Sequence, residues 1–210
     1  TPSTEVAFTL KRKLTKAATD ALAGRNLTDE VKVTVVGETE EKEKSNQYRV
    51  MPPVVTVQDV ARVDGAALGE NTATFGIRNT GVGYAQTIYF SVDYPANVTN
   101  VRFTPPTGVT LAQVGTVPAG FRNAGKPLYS LTKPGGFANN ELVTITETYK
   151  IASSLCGQQV KIGYVPYWGL SATDLFGDNT RVDRDIKVRT YTPIVKQTQD
   201  GNKRYFVEGA

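Results

Sequence analysis

Apolar side chains fall on alternate positions along much of this chain, the pattern of half-buried strands. In residues 5–14, Val6, Phe8, Leu10 and Leu14 share one parity against Thr9, Lys11 and Lys13, which predicts a strand. Residues 15–23 are rich in alanine and other helix formers and close on Gly24, which predicts a short helix or helical turn. Val31, Val33 and Val35 predict a second strand, residues 37–45 a charged turn, and Tyr48 with Val50 a third strand that Pro52-Pro53 ends. Val55 and Val57 resume the alternation up to a turn at Asp64-Gly65.

The clearest pattern spans residues 72–98. Phe75 and Ile77 alternate with small or polar residues, Asn79-Thr80-Gly81-Val82-Gly83 supplies turn chemistry, and Ile88, Phe90 and Val92 alternate again before Pro95. It reads as strand, glycine turn, strand, in the manner of a hairpin. Short strands follow at residues 98–103, 109–114, 128–131, 142–151, 160–165 and 186–188, divided by Pro105-Pro106, Pro118, Gly120, Pro127 and Pro134-Gly135-Gly136. A long loop is expected around residues 168–179, and residues 193–197 and 204–207 are two further extended segments. Punctuation every ~8–12 residues without a long helical period predicts an all-β sandwich or barrel.

The order of features recurs. Val6, Phe8 and Leu14 with the helix-prone segment and Gly24 match Val143, Ile145 and Ile151 with Ala152-Ser-Ser-Leu-Cys156 and Gly157. Val31, Val33 and Val35 match Val160, Ile162 and Tyr164, while Tyr48 and Val50 match Ile186 and Val188. The exit also recurs, with Pro53-Val54-Val55 and Gln58-Asp59 answering Pro193-Ile194-Val195 and Gln199-Asp200. On this reading residues 54–190 form a complete module and residues 1–53 the last three strands of a preceding one. Residues 191–210 then begin a following module or supply a strand that completes residues 1–53, by strand addition.

Composition narrows the function. With 24 basic and 20 acidic residues the net charge is +4, spread along the chain, which argues against a nucleic-acid partner. Cys156 is the one cysteine and histidine is absent, so an intramolecular disulfide is excluded and zinc loses its two commonest ligands. No apolar run approaches the roughly 18 residues of a membrane span, and Thr1-Pro2-Ser3 does not read as a signal peptide, so a mature or excised segment is expected.

The run from Phe75 through Asn79-Thr80-Gly81 to Asp93-Tyr94-Pro95 resembles the conserved-repeat modules of large bacterial surface proteins, the DUF11-like immunoglobulin-fold repeats. Cys156-Gly-Gln-Gln-Val-Lys-Ile-Gly-Tyr164, followed by Tyr167-Trp168-Gly169, resembles the closing strands of repeats in very large Bacteroidota adhesins, including gliding-motility adhesins. The similarity covers roughly residues 54–190, with an echo in residues 1–53. It implies tandem immunoglobulin-like β-sandwich modules, extracellular at the cell surface and without catalysis. The second cysteine after the Trp-Gly of that family is missing, so its loop disulfide does not carry over.

Candidate chemistry is sparse. Cys156 lacks a histidine base and lies before an apolar strand, as a structural thiol does. Asp174, Asp178, Asp183 and Asp185 crowd one region and are the candidates for calcium, although the spacing misses the EF-hand order and Arg181 and Arg184 can neutralise them as surface ion pairs. Tyr164, Tyr167 and Trp168 are candidates for an aromatic platform for a sugar or protein partner; by strand parity Tyr164 belongs to the core, which leaves Tyr167 and Trp168 as binding candidates. Gly81-Val82-Gly83 and Pro134-Gly135-Gly136 lack the helix and lysine of a phosphate cradle. Asn26-Leu-Thr28 and Asn97-Val-Thr99 are glycosylation acceptors in a suitable host. The expected function is a structural and adhesive segment of a long cell-surface protein, with neighbouring modules and a surface polysaccharide or protein as partners. The alternatives are a self-assembling coat or filament subunit with strand-exchanging termini, and a carbohydrate-active enzyme domain.

Overall fold

Glycines and prolines cut the chain into strands that cannot bury apolar surface alone, and pairing resolves this. The computed structural model describes residues 25–34, 41–49, 52–176, 180–191, 194–197 and 204–207. The strand and helix expected within residues 5–24 lie outside them. The chain divides into two compact units, Thr1–Pro52 and Pro53–Ala210.

In the first unit, β1 (Asn26–Thr34) pairs antiparallel with β2 (Glu41–Arg49). The expected charged turn is therefore shorter than residues 37–45, because pairing begins at Glu41 and sets Lys32 opposite Glu43. The antiparallel pairing matches that of the proposed counterparts, but the register does not: Val31 stands opposite Lys44, whereas Val160 stands opposite Ile186.

The second unit is a sandwich of two sheets. One has the order β3 (Val55–Gln58), β5 (Gly69–Asn79), β10 (Leu142–Ile151), β7 (Val98–Thr104). The other runs β4 (Val63–Ala66), β13 (Val182–Val188), β11 (Gln159–Ser171), β6 (Ala85–Asp93), β9 (Pro127–Phe137), β8 (Thr110–Thr116), with β12 (Asp174–Phe176) added on β11. Pairing is antiparallel except between β4 and β13, so Asp64-Gly65 is not the expected turn but part of a short parallel strand, in which Gly65, at φ +73°, is the bulged residue between Asp64 and Ala66. A single 3-10 turn, Ser153–Leu155, and Gly157 at φ +71° supply the expected helical turn and glycine. β14 (Ile194–Gln197) pairs antiparallel with β15 (Arg204–Val207) in a two-stranded sheet.

The stretch 72–98 is strand, glycine turn, strand, but not a hairpin. β5 enters one sheet and β6 the other. Their apolar faces would lie side by side in a hairpin; in opposite sheets they face each other, and Phe75 meets Phe90 edge to face at 5.6 Å. Asn79, fully buried, holds the crossing. Its Oδ1 accepts from the N–H of Val54 at 3.3 Å and of Gly81 at 3.1 Å, and its Nδ2 donates to the carbonyls of Gly83 at 2.7 Å and Phe137 at 3.0 Å. Pro134-Gly135-Gly136 is likewise no turn but a bulge inside β9: Ala85 faces Phe137 and Thr87 faces Thr132. A Cβ on Gly136 would sit 2.8 Å from the Ala85 carbonyl oxygen.

The main core gathers Phe75, Ile77, Ile88, Phe90, Ile145, Ile162 and Tyr164 between the sheets. Within it stands a charge. Glu147 is fully buried and Arg184 is 1% exposed, their Oε1 and Nη2 3.2 Å apart. Tyr94 donates to Glu147 Oε2 and Tyr164 to Oε1, each at 2.5 Å, and Arg184 Nη2 donates to the Thr74 carbonyl at 2.5 Å. Arg184 is thus not the surface ion-pair residue expected. It sits on the inward parity of β13 with Ile186 and Val188, as Glu147 sits on that of β10 with Ile145 and Tyr149.

Removing one member of a buried pair strands the other, so Glu147→Ala should lose about 3–5 kcal/mol, while Glu147→Leu with Arg184→Met should lose much less. Urea unfolding checks both. Burial first, then the Glu147 charge, pushes the phenols of Tyr94, Tyr149 and Tyr164 up, that of Tyr149 to about 12. A folded-state value above the unfolded one means the stabilisation is complete below the ordinary value of 10 and is lost as pH climbs through the folded value. The melting temperature should therefore fall above about pH 10, with tyrosinate absorbance rising together with unfolding.

Candidate functional site

The loop expected around residues 168–179 is mostly strand. β11 continues to Ser171, turns, and returns as β12, with Trp168 opposite Phe176 and Gly169 opposite Leu175. Gly169 is needed there because a Cβ would lie 2.4 Å from the Asp174 carbonyl oxygen. The half-buried Trp168 ring stacks on Phe176 at 4.2 Å with the planes 4° apart. Tyr167 points to the other face, 1% exposed, and its hydroxyl donates to the Arg122 carbonyl at 2.5 Å. Burial pushes its phenol well above the usual value. Of the aromatic candidates, Tyr164 and Tyr167 are packed inside and Trp168 keeps surface.

Tyr167 belongs to a second apolar cluster with Tyr89, Val117, Leu128, Val165 and Leu175. It lies on the opposite parity of β11 from Ile162 and Tyr164, so the larger sheet is covered on both faces. Phe121, in the β8–β9 connection, packs on the outer one. Turn bonds from Val117 to Lys126 and from Lys126 to Asn123, each 2.9 Å, shape that connection.

The acidic candidates do not converge. Asp183 accepts from Arg181 Nε at 2.6 Å, Asp185 pairs with Lys161 at 3.2 Å, Asp174 is half-buried on β12, and Asp178 lies outside the described residues. Among the described residues no three carboxylate or thiol groups are placed to hold a metal ion. Cys156 is half-buried with Sγ 3.5 Å from the Arg189 carbonyl.

A polar seam that sequence reasoning missed lies where Asp93 stands opposite Gly163. Asp93 pairs with Lys126 at 2.8 Å and with Arg181 Nη1 at 2.9 Å, and Arg181 also reaches Asn123 at 3.4 Å. Gly163 makes room, since a Cβ there would lie 2.1 Å from the Arg181 Cζ. A glycine inside an apolar strand beside an aspartate-proline corner was the available signal. Burial works against the Asp93 charge, but hydrogen bonds and ion pairs from Lys126 and Arg181 outweigh it and hold the carboxyl below its ordinary value. Glu147, sealed in the core with its oxygens taken, meets no substrate in this conformation.

No protein-family model matches the chain, and no curated protein does. Among solved structures the chain is similar to the third cohesin ScaC of Acetivibrio cellulolyticus, solved with the ScaB dockerin, at 16% identity over 64% of this chain and 100% of that one, TM-score 0.41. It is similar to the C-terminal domain of the Streptococcus agalactiae antigen I/II polypeptide BspA at 12% identity over 72% and 55%, TM-score 0.38. A family 123 glycoside hydrolase of Clostridium perfringens matches at 9% over 68% and 28%, TM-score 0.39. The sandwich itself is defined by this chain's own strand pairing, and no helix among the described residues is long and apolar enough to cross a membrane.

Because Asp93 titrates below its ordinary value of 3.8 when folded, its stabilisation is complete above that value and is lost as pH falls through the lower one. Thermal melts from about pH 5 to pH 2 should show a smaller loss in Asp93→Asn than in the parent. An equal loss in both would mean the seam contributes nothing.

Proposed function

We propose that this chain is a non-catalytic structural and adhesive segment of a long extracellular, cell-surface protein built from tandem immunoglobulin-like sandwich modules. The observation that carries the reading is the role of the ionisable groups buried in the core. Glu147, Arg184, Tyr94 and Tyr164 bond to one another between the sheets instead of facing a cleft. An enzyme needs such groups where substrate reaches them; a spacer needs them where they hold its layers in register. The resemblance of residues 75–95 to surface-protein repeats supports the same reading.

Strand placement suits a segment that transmits force. β4, near the start of the second unit, runs parallel to β13, near its end. Tension that reached β4 and β13 from their outer ends would shear this ladder, loading its hydrogen bonds together rather than one by one. Residues 1–53 are read as the closing strands of a preceding module and residues 191–210 as the opening of the next or a strand for residues 1–53.

One observation favours a second reading. β14 and β15 pair with each other and with no other described strand, as an exchangeable terminal element of a coat or filament subunit would. Size-exclusion light scattering separates the two. The spacer reading expects the monomer mass of 22.8 kDa, and a defined multi-subunit assembly overturns it in favour of the second.

A further inference from the structure

Beside the parallel β4–β13 ladder the surface opens into a cleft of about 550 Å³ lined by Arg62, Asp64, Gly65, Lys187, Arg189 and Thr190. Cations outnumber carboxylates three to one among these side chains. The cations are also arranged to leave donors outward. Arg62 spends its Nε on Asp64 Oδ1 at 2.9 Å, and Arg189 spends its Nε on the Gly65 carbonyl at 2.6 Å. The terminal nitrogens of both guanidiniums have no partner among the described residues, and the Lys187 ammonium makes no ion pair with them.

Arg189 is fixed from two sides. Its backbone N–H bonds the Ala66 carbonyl at 2.9 Å and its own carbonyl accepts from Gly157 at 3.1 Å. Its side chain lies against Gly65, whose Cα faces it without a Cβ: one built there would stand 3.5 Å from Nε. Gly65 at φ +73° thus presents its carbonyl to Nε while the two outer nitrogens of the fork remain for a ligand. A guanidinium held in this way forms paired bonds to a planar anion with little entropy left to lose.

We propose that this cleft binds a carboxylate-bearing saccharide, a uronate unit of an acidic polysaccharide. The carboxylate of the sugar lies between Arg189 and Lys187, with Arg62 at the rim. Asp64 Oδ2 and the Thr190 hydroxyl take the sugar hydroxyls. Asp64 decides the class of ligand: a fully ionised inorganic anion such as sulfate has no proton to offer it and is repelled, whereas a polyhydroxylated acid donates to it. The site goes beyond the structural role, and failed binding would leave the solution mass on which that role is tested untouched.

The experiment is calorimetric titration of the full chain with galacturonate oligomers, inorganic sulfate and polyglutamate in separate arms. The oligomer should bind, more weakly as salt rises, and sulfate and polyglutamate should bind at least about tenfold less well. Arg189→Gln and Lys187→Gln should each weaken the oligomer by about tenfold, with melting temperatures near the parent's to show that both fold. Asp64→Asn should weaken the oligomer and improve sulfate. Absent oligomer binding, equal binding of polyglutamate, or affinity unchanged in Arg189→Gln and Lys187→Gln would each overturn the proposal.

Discussion

A carboxylate closed inside a β-sandwich must be answered on every side, and Glu147 makes that demand at the centre of this one. Its oxygens draw Tyr94 from the corner after β6, Tyr164 from β11 and Arg184 from β13. Arg184 then reaches back across the core to the Thr74 carbonyl on β5. Elements of both sheets are thereby specified by one side chain on β10. A slip of one residue in β10 or β13 would turn its charge out of the network and its apolar neighbours into solvent, so the pair fixes register as well as layer.

The aromatic packing is arranged around the same point. Tyr164 lies 4.7 Å from Phe75 and beneath the Arg184 guanidinium at 5.5 Å, and Phe75, Phe90 and Phe103 close on one another edge to face. On the far side of the larger sheet the β8–β9 connection covers Tyr89, Val165 and Tyr167, and the Tyr167 hydroxyl ties that connection at Arg122. β11 is therefore interior on both faces. Polar side chains left outside, such as those of the β4–β13 cleft, carry the capacity for contact that the interior groups have given up.

Much of the strand content was legible from alternation. β10 coincides with the expected residues 142–151, β7 and β8 lie within a residue or two of expectation, and Asn79 was readable as a fold-specifying turn residue. Glu147 and Arg184 share the inward parity of their strands, but Arg184 was expected at the surface and Glu147 was not singled out, since a buried charge needs partners that only other strands supply. Alternation failed at residues 162–167, where burial is continuous because both sheet faces are covered. It failed too at Pro134-Gly135-Gly136, where breaker residues sit in a bulge rather than at a strand end.

The candidate residues divide along the same line. Tyr164 was placed by parity, whereas Tyr167 and Trp168 could not be separated until the β11–β12 hairpin turned one into the outer core and left the other against Phe176. Side-chain parity has a period set by backbone geometry within a few residues, so the sequence by itself determined an all-β chain, most of its strands and which side chains point together. Which sheet each strand joins, and therefore that β5 and β6 face one another instead of pairing, depends on partners as distant along the chain as Val63 and Ile186. Only the tertiary structure decided that, along with the meeting of Glu147 and Arg184, because the free energy of burying them exists only once both sheets are in place.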